Sequence, residues 1–174
     1  YSDIAFNHRI LRKRTVASLT VFSDELLLRL MSNGGCISVS DRYEKREKLG
    51  KGTYGVVYKA RDVETGTMVA LKKCVNVSSN EGISVTILRE IENLKLVSKS
   101  PYAVTLLHVA VSSSSLFLVL EYYQHCLADI IDTHYQRYQT SPFASPAACK
   151  TLLFHLLSAL DVLHSHHIMH RDVK

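Results

Sequence analysis

Gly50-Lys51-Gly52-Thr53-Tyr54-Gly55-Val56-Val57-Tyr58-Lys59-Ala60 is the stretch that decides the fold. Three glycines at G-x-G-x-x-G spacing let backbone N–H groups approach a polyphosphate without Cβ clashes. The spacing alone has two physical readings. A dinucleotide-binding fold needs a helix directly behind the loop and an acid about 20 residues further on. Here the β-branched and aromatic Val56-Val57-Tyr58 follows, and the position twenty past Gly55 is Val75. The loop therefore belongs to a strand–turn–strand hairpin, and a dinucleotide oxidoreductase is excluded. An ordinary β-turn is the plainest competing reading.

Outward from the loop the pattern stays strand-rich. Residues 43–49 lead into it, and Glu64-Thr65-Gly66-Thr67 is a turn. Met68-Val69-Ala70-Leu71-Lys72 is a second apolar strand. Residues 85–97 read as a helix whose apolar stripe is Ile87, Leu88, Ile91, Leu94 and Leu96. Strands at 104–111 and 116–120 follow, joined by a serine turn at 112–115. Beyond them the chain is helical. A short helix covers 127–138, and Ser145-Pro146 reads as an N-cap with Pro in the first turn. The helix behind it carries Leu152, Leu153, Leu156, Leu157, Leu160 and Leu163, a stripe wide enough to predict burial on most sides. Residues 1–40 stand apart as an N-terminal extension. It has a helix-prone stretch at 10–31, a turn at Asn33-Gly34-Gly35 and a basic cluster, His8, Arg9, Arg12, Lys13 and Arg14, that reads as a solvated extension or as a site for an acidic partner.

Composition narrows the class. The chain has 174 residues, 47% hydrophobic and 21% charged, which fits a globular protein and excludes wholesale disorder. A net charge of +5 suits phosphate-bearing ligands or an acidic partner, but no run of like charges is long enough to demand nucleic acid. Cys36, Cys74, Cys126 and Cys149 form no C-x-x-C pair, which argues against a zinc ribbon or redox dithiol. No apolar run approaches the roughly 18 residues that span a bilayer, so no membrane role is expected. A start at Tyr1 and an end at Lys174 point to a fragment.

Two further motifs carry chemistry. Lys72, on a strand one hairpin after the glycine loop, can reach the α- and β-phosphates of a nucleotide. It needs a carboxylate to hold it, and Glu90, on the 85–97 helix, is the natural candidate. His170-Arg171-Asp172-Val173-Lys174 follows the leucine-rich helix. Asp172 would accept a hydroxyl proton for in-line attack, and Lys174 would neutralise the transferring phosphoryl group. His164, His166, His167 and His170 cluster locally, but no i, i+4 pair with a helping carboxylate supports a metal, so none is assigned.

The ordered set Gly50, Gly52, Gly55, Ala70-x-Lys72, Glu90 and His170-Arg171-Asp172 resembles eukaryotic protein kinases. The loop from Gly50 to Ala60, and Glu81-Gly82-Ile83-Ser84-Val85-Thr86-Ile87-Leu88-Arg89-Glu90-Ile91, look like cyclin-dependent kinases. The Leu-Arg-Glu ending is more similar to the PITSLRE and PISSLRE branches. Ser84 departs from the usual proline. The resemblance implies an α+β, protein-kinase-like fold: a β-rich N-lobe with one regulatory helix, then the first helices of an incomplete α-helical C-lobe. It divides the chain into the 1–40 extension and a truncated kinase domain at 41–174, with the N-lobe at 41–123 and a partial C-lobe at 124–174.

The resemblance also implies roles. Leu49, Val57 and Ala70 would sandwich adenine. The Glu121 carbonyl and the Tyr123 backbone would hydrogen-bond it, with Leu120 as gatekeeper. Gly50, Lys51, Gly52, Thr53, Tyr54 and Gly55 would cover the phosphates, with Lys72 and Glu90 holding them. Thr53 and Tyr54 match an inhibitory phosphorylation pair. Cys126 stands where many relatives have an acid that contacts ribose. The implied activity is transfer of the ATP γ-phosphate to Ser or Thr of a protein, with Mg²⁺ and a cyclin partner, in nucleus or cytoplasm. The Mg²⁺ ligands, an Asn and the Asp of Asp-Phe-Gly, are expected past Lys174. This stretch alone is therefore expected to be inactive and poorly soluble. A different reading is a truncated, non-catalytic module that binds a cyclin.

Overall fold

The structure, a computed structural model, describes residues 37–52, 55–74, 77–78, 82–112, 115–143 and 145–173. The 1–36 part of the extension, Thr53, Tyr54 and Lys174 lie outside the described residues. The elements run β1 (Ile37–Ser38), α1 (Val39–Arg42), β2 (Tyr43–Gly52), β3 (Gly55–Asp62), β4 (Met68–Cys74), β5 (Val77–Ser78), β6 (Gly82–Ile83), α2 (Val85–Leu96), β7 (Leu106–Ser112), β8 (Ser115–Glu121), α3 (Leu127–Tyr138) and α4 (Pro146–Ser165). This is an α+β arrangement with a sheet lobe first and helices after it.

Six strands form one sheet in the order β1-β7-β8-β4-β3-β2, and β5-β6 make a small separate pair. All neighbours in the large sheet are antiparallel except β1 with β7. The glycine loop joins β2 to β3 as a hairpin, with Gly50 opposite Val57 and Gly52 opposite Gly55. The next hairpin closes through Gly66, whose φ of +73° is a left-handed value that glycine adopts without Cβ strain. Its N–H donates to the Asp62 carbonyl at 2.8 Å.

Strand side chains alternate faces, so the sheet has two cores. On one face Cys74, Leu116 and Leu118 pack against Ile87 and Ile91 of α2. On the other, Ala60, Val69, Leu71, Ala110, Phe117 and Val119 pack against Val39 and Tyr43. This second face is closed by the chain's own Ile37–Tyr43 stretch. Ile37 and Ser38 pair with Ala110 and Val111, Val39 is 3% exposed, and Arg42 reaches across to Asp62 at 3.0 Å. Among the described residues, the part of the extension before Asp41, residues 37–40, thus packs with the sheet.

Helix α2 matches its expected stripe with one correction. Ile87, Leu88 and Ile91 are buried, but Leu96 is 53% exposed and Val97 takes the inner position. Leu96 lies five residues, about 500° of rotation, from Ile91 and so faces away. Helix α4 departs further. None of its residues is buried, and Leu153, Phe154, Leu156 and Leu157 are exposed. The predicted burial of this helix is not seen, because no described element covers its leucine face. At 20 residues, with a mean hydropathy of 1.3 over its best window, it is long and apolar enough by length and composition to cross a membrane. The expectation that no apolar run approaches 18 residues is corrected here, because the helix remains apolar on average although Lys150, His155 and Asp161 interrupt it. The helix touches the sheet lobe through Tyr102, whose ring lies 6.2 Å from Phe154 and 5.5 Å from His155.

Candidate functional site

Register builds the site. Directly opposed residues in an antiparallel pair share a face. Gly50 faces Val57, Val57 faces Lys72, and Lys72 faces Leu118. One register step away, Ala70 faces Leu120. Val57, Ala70, Lys72 and Leu120 therefore line the face on which α2 packs. They border the glycine hairpin with a small side chain at Ala70 and an amine at Lys72. Leu49, three residues before the end of the lead-in strand, is 45% exposed at the register shift between Lys48 and Gly50.

Helix α2 answers the amine. Ser84 caps it, its Oγ accepting from the Ile87 N–H at 3.4 Å, and burial of Ile87 and Ile91 fixes the rotation. Glu90 is thereby turned to the sheet, and its Oε1 accepts from Lys72 Nζ at 2.5 Å. Both side chains are partly shielded, at 19% and 32% exposure, so the attraction is screened less than at an open surface. Cys74, on the same face two residues on, is buried, and its thiol is pushed up to about 11 by that burial first.

The chain leaves the sheet at Glu121. Tyr122 packs under Lys59, whose Nζ lies 5.1 Å from the ring, and Tyr123 is 65% exposed. Cys126 caps α3, its Sγ accepting from the Asp129 N–H at 3.3 Å. Asp172 lies in the irregular segment after α4, its N–H donating to His170 Nδ1 at 3.3 Å. Arg171 beside it has φ of +62°, a left-handed value uncommon for a side chain of its size. Lys51 and Gly50 sit on the lead-in strand; Thr53, Tyr54 and Lys174 are outside the described residues.

Chemically the arrangement suits a polyphosphate: an ammonium held by Glu90 lies on the same sheet face as Val57, beside the strands that the glycine hairpin joins. Among the described residues no group of three His, Cys, Asp or Glu is placed to hold a metal ion, and no Mg²⁺ ligand is assigned to them. Sequence reading missed the side-chain partners of the exit strand, Thr105 with Glu121 and Lys59 with Tyr122. Their contacts cross 16 and more residues and leave no local pattern.

Comparison with known proteins adds to this geometry. The family model described as protein kinase domain matches residues 43–174. The chain is 43% identical over 135 residues to a Dictyostelium discoideum protein named "Probable cyclin-dependent kinase 10", covering 76% of this chain and 35% of that protein. It is 42% identical over 142 residues to cyclin-dependent kinase G-2 of Oryza sativa, covering 80% and 19%. Identity to cell division control protein 2 homolog C of Antirrhinum majus is 40% over 140 residues, covering 77% and 46%. The chain spans less than half the length of these relatives.

Proposed function

The chain belongs to the protein kinase family, among its cyclin-dependent-kinase-like members, and from that premise we propose that it is the nucleotide-binding part of a Ser/Thr protein kinase using ATP. The observation that carries the reading is the Lys72–Glu90 pair on the face lined by Val57 and Ala70. Glu90 holds the ammonium where the α- and β-phosphates of a nucleotide stacked against Val57 and Ala70 would lie. The glycine hairpin excludes water above them and offers N–H donors. Asp172 is the group to accept the proton of the attacking hydroxyl. Lys174, Leu49, the Glu121 carbonyl and the Tyr123 backbone keep the roles that the family resemblance implies, as do Thr53 and Tyr54 as sites where phosphate would repel ATP. Helix α2, with its N-cap Ser84, is the surface a cyclin would take.

Two variants of the full-length polypeptide test this. Lys72→Met lowers γ-phosphate transfer on the order of 10²–10³-fold by removing one preorganised cation. Asp172→Asn abolishes transfer while ATP still binds. Wild-type turnover in both variants overturns the reading. Cyclin capture without any ATP binding by the wild type would favour the non-catalytic module instead.

A further inference from the structure

We infer that the Glu121 carboxylate is a positioning group for the segment that meets the nucleotide base, an inference resting on the nucleotide-binding reading above. Glu121 ends β8, and the segment beyond it, 122–126, forms no strand ladder among the described residues. The Glu121 side chain supplies a restraint in its place. The Glu121 N–H donates to the Thr105 carbonyl at 3.1 Å, and the Thr105 N–H donates to Glu121 Oε2 at 3.2 Å. These two bonds close a ring between the exit of β8 and the approach to β7. The Tyr123 hydroxyl donates to the same Oε2 at 3.0 Å. One carboxylate oxygen therefore bridges residues 121 and 123 and anchors both to residue 105.

Glu121 and Tyr122 are held from outside the exit segment, and Tyr123 from within it. Glu121 is held by Thr105, Tyr122 by the Lys59 ammonium over its ring, and Tyr123 by Glu121. Thr105 belongs to the stretch that leads from α2, the helix carrying Glu90, into β7. The carboxylate thus ties the base-recognising end of the site to the connection from its phosphate-holding end. The electrostatics agree with the geometry. The Thr105 hydrogen bond, foremost, keeps the Glu121 carboxyl below the usual carboxylate range, so the acceptor is charged at neutral pH. The Tyr123 phenol is pushed up by its bond to that charge and stays a donor. A backbone held in this way presents its donor and acceptor to an adenine edge without an ordering cost at binding.

The test uses the full-length polypeptide and reads dissociation constants for ATP and for adenosine by calorimetry, with thermal melts alongside. Glu121→Leu removes the acceptor and weakens adenosine and ATP by the same factor, about tenfold. Glu121→Gln keeps a neutral oxygen and recovers most of that loss. Tyr123→Phe, at an exposed position, removes one bond and weakens both ligands by a smaller common factor. Lys72→Met, in contrast, weakens ATP and leaves adenosine unchanged. Wild-type adenosine affinity in folded Glu121→Leu and Tyr123→Phe overturns the inference, as does a loss confined to ATP. A wild-type chain that binds neither ligand overturns the nucleotide reading itself, and the inference with it.

Discussion

Asp62 is 4% exposed, and its carboxylate is answered from three directions. Arg42 Nε and Nη2 donate to it at 3.0–3.2 Å, and the Glu64 N–H at 3.0 Å. The Arg42 hydrogen bond, first among these, pulls the Asp62 carboxyl below its ordinary value. A depressed folded value stabilises the fold above the unfolded carboxyl value of about 3.9, and the gain is lost as pH falls through the folded value. Asp62→Asn should therefore cost about 2 kcal/mol at neutral pH, and the gap to wild type should close below about pH 3.9. Urea unfolding of the full-length polypeptide at pH 7, 5 and 3 reads this directly. A gap as wide at pH 3 as at pH 7 would show that the charge is not what Arg42 holds. The sequence marked neither residue. Arg42 lies 20 residues from Asp62, in the stretch that β1 and α1 lay across the sheet.

That stretch is the element the composition hid best. Two strand residues and one helical turn are too short for any periodicity to register. Yet Ile37–Ser38 covers the β7 edge, and Val39 joins the buried cluster that includes Ala110 and Val119. Lys45 finishes the same face, its ammonium 4.3 Å from the Phe117 ring centroid and 5.3 Å from that of Tyr58. Burial also lowers the Lys45 amine. Val39→Ala removes two buried methyl-sized groups and should cost about 1.5–3 kcal/mol in a thermal or urea melt of the full-length polypeptide. A variant as stable as wild type would mean that the stretch rests on the sheet without packing into it. The longer elements were legible because they repeat. The 3.6 period of α2 placed Ile87, Leu88 and Ile91 inward from sequence alone. The apolar runs of β4 and β8 marked them as strands, while the register that sets Lys72 and Leu120 on one face came from the structure.

On the scale of the whole molecule, the sheet lobe is closed on both faces while the helices are not. Leu127, Ile130, Ile131 and Tyr135 of α3 and Leu153, Phe154 and Leu157 of α4 are all exposed, several large apolar side chains on each helix. The 174-residue polypeptide by itself should self-associate through them. Sedimentation at micromolar concentration should show species heavier than a monomer, and Leu153→Lys with Leu157→Lys should shift them toward the monomer. A monodisperse wild-type monomer would contradict this. Locally encoded features were settled by sequence: the glycine hairpin, the strand lysine, the apolar stripe of the helix that carries Glu90, and the family they signal. Each depends on residues a few positions apart, where backbone sterics and side-chain period act directly. Tertiary structure alone decided that Ile37–Arg42 seals the far face, that Glu121 grips Thr105, and that α4 presents its leucines to solvent. Those outcomes depend on which distant surfaces meet, and burial is a property of the partner as much as of the residue.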